Sequence, residues 1–421
     1  MKRIFFLGVG GSGMSSLAYL YAKKGAQVYG SDQNPEAITK PQEKGLITVV
    51  PSDDAEEIIS TCDLLVFSDA VPANHSDRQF AQTHAIPQMA YQEALGEFTR
   101  DYTLIAVTGT HGKSSTTSFL AWILIEAGLD PTVLIGARAP FLDYSGARLG
   151  KSSIMIVEAD EYRRHFLSLE PKYAVITSID FDHPDYYTSM EDVQDAYNSF
   201  ANKVPSDGLL VAPEELTSSL NLLKSCPASF LPLPDNEIPM PLPGEHMRQN
   251  ANLAITICER LGIPRVQSIA ILKDFPGLER RFETVTNIDS MRVVSDYGHH
   301  PAEIKATLTG ARNAFPSKKI VALFECHMIE RLQMFYSDFA EALSMADHVI
   351  VCPVFMPKGR EGVSTEDDVR LFLKELTRHG VVYERISNFT ELPTLLEKIA
   401  PEYPLAIGFS AGKLDAILRS L

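Results

Sequence analysis

A chain of 421 residues exceeds what one hydrophobic core ordinarily organises, so roughly two to four domains are expected. Hydrophobic residues at 45% and charged residues at 22% exclude a fibrous or disordered chain, and a net charge of −16 without a basic stripe opposes nucleic acid. No apolar run approaches the roughly 20 residues that span a bilayer, MKRIFFLGVGGSG turns to glycine where a signal peptide would stay apolar, and five scattered cysteines form no CxxC pair, so a reduced cytoplasmic protein is expected.

The first 98 residues alternate apolar runs with amphipathic stretches: a strand over 3–9, a helix over 12–24, then strands over 27–30 and 64–68. This is βαβ logic and predicts a parallel sheet. Gly8-Val9-Gly10-Gly11-Ser12-Gly13 matches GxGxxG between a strand and a helix, with Asp32 closing the next strand about 20 residues on. Glycines there let a diphosphate approach the backbone, and the helix N-terminus supplies free N–H donors and partial positive charge. A tight turn without ligand and a nicotinamide dehydrogenase remain open on this motif alone.

A boundary near residue 99 precedes a second α/β set, with strands over 104–108, 132–135, 154–158 and 174–179. Gly109-Thr110-His111-Gly112-Lys113-Ser114, followed by Ser115, places a lysine and hydroxyls at a helix start, where they suit terminal phosphates and a magnesium ion. It is a shortened P-loop, because the first glycine of GxxxxGK[ST] would fall at Val107. Two phosphate cradles argue against a simple dehydrogenase. Glu158, Asp160 and Glu161 follow one apolar strand, and Asp180, Asp182, His183 and Asp185 the next, so both clusters fall where a parallel sheet meets its ligand crevice and favour a metal.

The proline-rich run 231–243 predicts an edge or surface loop, and a helix follows over 247–261. From about residue 286 a third α/β domain is expected, with a strand over 292–295, a helix over 301–314 and strands over 319–324 and 348–352. His299 and His300 lie in SDYGHHPAE without a cysteine or further histidine at zinc spacing, so nucleotide or substrate contact is expected there. The adjacent arginines of GLERRFE suit phosphate, with a surface ion-pair run as the alternative.

Taken together, FFLGVGGSGMSSLA, YGSD, VTGTHGKSSTT, EADE, FDHPDYY, GEHMRQNANLAI, GLERRFE and DYGHHPAEIKATL resemble the Mur ligase family, in its order and over essentially the whole chain. The resemblance implies an α/β protein of three domains: a Rossmann-like UDP-sugar domain (1–98), a central P-loop-type ATPase domain (99–285) and a Rossmann-like C-terminal domain (286–421) that admits the amine. It implies ATP and magnesium as cofactors, UDP-N-acetylmuramate as one substrate and an amino acid or short peptide as the other. L-alanine is the first expectation for that amine and a murein tripeptide the alternative.

By the same resemblance, Gly109, Thr110, His111, Gly112, Lys113, Ser114 and Ser115 would hold ATP, with Lys113 on its phosphates. Ser114, Glu158 and His183 would contact the metal, Asn250 and Asp296 would lie near adenine and ribose, and Arg281 near the phosphates. His299 would serve the reaction centre or the incoming amine. Gly10, Gly11, Ser12, Gly13, Met14 and Asp32 would hold the UDP portion, and Arg331 the amino-acid carboxylate. The family's GxHNxxN appears here with Met247 in place of its first asparagine, and His327-Met328-Ile329-Glu330-Arg331 keeps only Arg331 of an arginine-bearing stretch. A protein that binds UDP-sugar or ATP without turnover is the remaining alternative.

Overall fold

A computed structural model of the chain describes residues 1–34, 45–222, 226–232, 238–356 and 366–421. They form three β-sheets, each flanked by helices. The first is wholly parallel, with β1 (Arg3–Leu7), β2 (Gln27–Ser31), β3 (Ile47–Val49), β4 (Leu64–Phe67) and β5 (Gln88–Ala90) in the order β3-β2-β1-β4-β5. Its central strand RIFFL is a continuous apolar run because helices cover both faces.

The second sheet contains β6 (Thr103–Thr108), β7 (Thr132–Ala139), β8 (Ser145–Arg148), β9 (Ile154–Glu158), β10 (Tyr173–Ile176), β11 (Leu209–Pro213) and β12 (Ala228–Leu231), ordered β12-β11-β10-β6-β9-β7-β8. Only the β7–β8 pair is antiparallel. The expected proline-rich edge begins where β12 ends, at the sheet margin, and its residues 233–237 lie outside the described residues. The third sheet contains β13 (Glu283–Ile288), β14 (Met291–Asp296), β15 (Ile320–Phe324), β16 (His348–Val351), β17 (Tyr383–Arg385) and β18 (Leu405–Phe409), ordered β13-β14-β18-β15-β16-β17. Here β13 pairs antiparallel with β14 and the remaining pairs are parallel.

The chain forms two compact units, Met1–Pro239 with Arg248–Pro276, and Met240–Met247 with Gly277–Leu421. In the first unit a single core joins Phe6, Leu17 and Val66 of the first sheet layer to Leu104, Val157 and Ile176 of the second. The second unit has its own core around Val293, Leu323, Ile350 and Ala406. Each unit therefore carries buried parallel strands whose C-terminal ends open into loops, which hold expected site residues such as Gly10, Asp32, Gly109, His183 and His299.

Candidate active site

The first glycine turn joins β1 to the helix Ser12–Lys23. Gly8 takes a φ of +83°, and the N–H groups of Gly8 and Val9 both donate to the Ser31 carbonyl, at 2.9 and 3.1 Å. Asp32 clamps the turn from the side: its carboxylate accepts from Gly10 N at 2.7 Å and from Asn34 N at 2.9 Å. The helix starts at Gly11 without a side-chain cap or an acidic residue in its first turn, so its N–H groups and partial positive charge remain for an anion. Gly11 and Ser12 are exposed and Gly10 and Gly13 half-buried, whereas Met14 is packed in the core.

The second turn joins β6 to the helix Lys113–Glu126 and is built more tightly. Gly109 has a φ of +135°, and a Cβ there would lie 2.0 Å from Thr177 Oγ1. Gly112 has a φ of +83°, and its missing side chain makes room for Asn250, whose Oδ1 would lie 2.7 Å from a Cβ at that position. Thr110 and the loop after β10 exchange hydrogen bonds: Thr110 Oγ1 donates to the Asp180 carbonyl at 3.2 Å and accepts from Asp180 N at 2.9 Å. His111 N donates to Ser178 Oγ at 2.8 Å, and the imidazole lies 3.4 Å from Asp180. The backbone of this turn is held from both sides while its helix, like the first, begins uncapped.

Lys113 folds back over the turn. Its Nζ donates to the carbonyls of Gly109 (2.6 Å) and Thr110 (3.1 Å) and pairs with Glu161 at 2.9 Å. Burial alone would push the ammonium toward neutrality, but Glu161, with Asp160 and Glu158 behind it, outweighs burial and keeps the lysine charged. Ser114 Oγ donates to Glu158 Oε1 at 3.0 Å, and Gly136 N donates to Glu158 Oε2 at 2.8 Å. Ser115 is buried in the same helix turn. The two glutamates of EADE thus divide their duties: Glu158 faces the hydroxyl and Glu161 faces the lysine.

His183 lies beside this pair, with Nε2 at 3.7 Å from Glu161 and 4.0 Å from Asp182, and with a φ of +56°. Burial would lower its proton affinity, yet Glu161, Asp182 and Asp160 raise it. Among the described residues no three His, Cys, Asp or Glu side chains are arranged to hold a metal ion by themselves. Magnesium does not require such a cage, since it keeps several waters and binds through one or two carboxylates plus substrate phosphates. The oxygen pair of Ser114 and Glu158 at a phosphate-type turn fits that habit.

In the second unit Asp296, at the end of β14, is 3% exposed and accepts from Phe282 N (2.9 Å) and Gly298 N (2.8 Å). Burial raises its proton affinity against the opposing pull of Arg281 and these two donors. Arg280 and Arg281 lie over the Tyr297 ring, 4.7 and 5.2 Å from its centroid, and Arg280 and Phe282 both have positive φ. Asp296 therefore ties down the backbone of the strained GLERRFE bend. His299 Nδ1 lies 3.2 Å from the Tyr297 carbonyl and 3.5 Å from Glu303, and the ring packs edge-on to His327. His300 caps the helix Pro301–Ala314 together with Glu303. Arg331 is 9% exposed in the short helix Ile329–Met334.

The structure thus brings Gly109 to Ser115, Glu158, His183 and Asn250 into one cluster, and gathers Gly10 to Gly13 with Asp32 in another part of the same unit. Asp296, Arg281, His299 and Arg331 belong to the second unit. Sequence reading missed two features of the first unit: Tyr91 beside Gly13, and a pairing of Asp69 with His165, which stand 96 positions apart and carry no local motif.

Two glycine turns of the phosphate-binding type, each between a parallel strand and a helix, the second with a lysine and a hydroxyl set against carboxylates, are the build of a phosphate-handling α/β protein of the nucleotide-using class. Three family descriptions match in succession: "Mur ligase family, catalytic domain" over residues 3–103, "Mur ligase middle domain" over 107–229 and "Mur ligase, glutamate ligase domain" over 280–403. The UDP-N-acetylmuramate–L-alanine ligase of Caldanaerobacter subterraneus is 32% identical over 98% of this chain and 95% of its own length. That of Chlorobium phaeovibrioides is 33% identical over 99% and 96%. The crystal structure of the UDP-N-acetylmuramate–alanine ligase of Thermotoga maritima superposes with a TM-score of 0.80 at 25% identity, covering 100% of this chain and 98% of that one. A murein peptide ligase of Psychrobacter arcticus shares the fold, with a TM-score of 0.71 at 22% identity over 100% and 99%. The chain belongs to the Mur ligase family, and its three-sheet α/β architecture is that of the family.

Proposed function

We propose that this protein is an ATP-dependent carboxylate–amine ligase that joins the carboxylate of UDP-N-acetylmuramate to the amine of L-alanine, in the cytoplasmic synthesis of a peptidoglycan precursor. The observation that carries this reading is the Lys113–Glu161 and Ser114–Glu158 arrangement over the Gly109–Gly112 turn. The full-length relatives that bear this activity in their names support the choice of substrates. In this reading the N-terminal sheet binds the UDP-sugar, the central sheet binds ATP and the C-terminal sheet receives the amine.

A carboxylate is a poor acyl donor at neutral pH and must first be activated. An oxygen of the muramate carboxylate attacks the ATP γ-phosphorus, releasing ADP and leaving an acyl phosphate. The amine nitrogen then attacks the acyl carbon and expels phosphate as the amide forms. Lys113 carries its positive charge to the transferring phosphoryl group and acts by position and electrostatics. Ser114, Glu158 and His183 would hold magnesium, which when bound neutralises charge on the phosphate oxygens. Gly109 to Ser115 and Asn250 orient the nucleotide.

His299 is the candidate to accept the proton of the incoming amine. Its Nδ1 lies 3.2 Å from the Tyr297 carbonyl and 3.5 Å from Glu303, both acceptors, which favours a hydrogen on Nδ1. Arg331 would meet the amino-acid carboxylate.

The test is ADP release on adding UDP-N-acetylmuramate, with L-alanine, L-serine, glycine and the murein tripeptide offered separately. We expect release with L-alanine and its loss by about two orders of magnitude or more in Lys113→Ala. Wild-type turnover in Lys113→Ala would end this reading, preference for the tripeptide would replace the amine, and nicotinamide binding in the first domain would favour an oxidoreductase. UDP-sugar binding without ADP release would favour a non-catalytic binding protein.

A further inference from the structure

Tyr91 opens the helix Tyr91–Thr99 directly after β5 and belongs to neither glycine turn. Its ring lies against the first turn of the helix Ser12–Lys23. A Cβ built on Gly13 would stand 2.8 Å from Tyr91 Oη and 3.0 Å from Cζ, so the space that a side chain at position 13 would fill is occupied by the phenol. Burial raises the proton affinity of this hydroxyl far above that of an ordinary tyrosine, and the charges of Asp160 and Glu158 add to the effect, so the phenol stays a neutral donor. Tyr91 thus borders the diphosphate-type turn at Gly13.

Three other tyrosines of this unit direct their hydroxyls to protein acceptors: Tyr21 to the Ala94 carbonyl, Tyr162 to Asp185 and Tyr187 to the Glu161 carbonyl. Among the described residues Tyr91 Oη has no such bond. The half-buried hydroxyl is therefore a donor that a ligand on the first turn can take up.

We propose that Tyr91 Oη donates a hydrogen bond to the sugar nucleotide at the Gly10–Gly13 turn. This rests on the reading that UDP-N-acetylmuramate is the substrate of the first unit. It adds a substrate-binding residue from β5 and the following helix, a segment outside both glycine motifs.

Tyr91→Phe removes the hydroxyl and keeps the ring that packs on Gly13. We expect its KM for UDP-N-acetylmuramate, and its Kd measured by calorimetry without ATP, to rise about tenfold or more, as for a lost hydrogen bond to a charged group. The KM values for ATP and L-alanine and the melting temperature should stay at wild-type values, which a merely structural tyrosine would not produce. Unchanged affinity for the sugar nucleotide overturns the proposal, as does a lowered melting temperature with an equal rise in all three KM values. If wild-type protein binds UDP-N-acetylmuramate and Tyr91→Phe binds it equally, only the role of Tyr91 fails; if wild-type protein does not bind it, the substrate reading fails with it.

Discussion

Lys113 is already paired before any phosphate arrives, and this determines what its neighbours do. The side chain is 18% exposed and Glu161 only 4%, so the ion pair is largely shielded from water. Removing one member of such a pair costs about 3–5 kcal/mol, because the other charge stays buried without compensation. Glu161→Gln should therefore lower the melting temperature by several degrees. ATP should then recover more stability in this variant than in wild-type protein, since its phosphates replace the missing negative charge on Lys113 and binding to the folded state alone stabilises it. Differential scanning fluorimetry with and without ATP checks both statements; equal melting temperatures for wild-type and Glu161→Gln protein without nucleotide would show that the pair contributes nothing.

At the scale of an element, the β6–turn–helix unit shows what a local pattern can and cannot encode. Buried strands announce themselves through continuous apolar runs, so Ile154–Glu158 and the helix Pro301–Ala314 were legible residue by residue. Strand ends were less so: the run 174–179 reads as one strand, but pairing stops at Ile176, where Thr177 turns its hydroxyl to the Thr108 carbonyl. The acidic cluster after β9 was visible as a cluster. Its division between Ser114 and Lys113 was not, because those contacts join residues 44 and 48 positions apart. The contact of Asn250 with Gly112 is likewise set by tertiary packing. Glycine, in contrast, is informative where space and φ coincide. Gly109→Ala must place a Cβ 2.0 Å from Thr177 Oγ1 and 2.8 Å from Ser178 N at a φ of +135°, so the turn between β6 and β10 must open. Gly128→Ala also meets a positive φ, +81°, but nothing lies within 4 Å. We expect Gly128→Ala to cost about 1 kcal/mol and keep its KM for ATP, whereas Gly109→Ala loses several times as much stability and most ATP-dependent turnover. Denaturant unfolding and ADP release on the two variants make the comparison, and similar losses at both positions would contradict it.

At the scale of the whole molecule, the first two sheets share one unit while the third forms another, a division that composition and periodicity do not announce. The shared core accounts for part of that union. Close backbone packing adds to it: a Cβ on Gly96 would fall 2.5 Å from the Ser168 carbonyl oxygen. A polar clasp crosses the same junction, where His165 Nε2 lies 2.6 Å from Asp69, beyond β4 of the first sheet, and Nδ1 lies 3.3 Å from Asp160, beyond β9 of the second. Burial would lower the proton affinity of His165, but the two carboxylates outweigh it and raise it, so the imidazolium form is favoured in the folded protein. A group whose folded value is raised contributes stability that is fully present below its unfolded value, about 6.5 for histidine, and lost as pH rises through the folded value. Asp160 behaves oppositely: His165 and Lys113 hold it below the usual carboxylate range despite burial, so its share is lost only in acid. The clasp should therefore be strongest in mildly acidic solution. His165→Gln keeps polar contact but cannot carry the charge, so the melting temperature of wild-type protein should exceed that of the variant most clearly near pH 6 and converge toward it by about pH 9. A difference that stays constant across this range would mean that His165 joins the two sheets by shape alone, and one that widened with pH would mean that the neutral ring is the form that holds them.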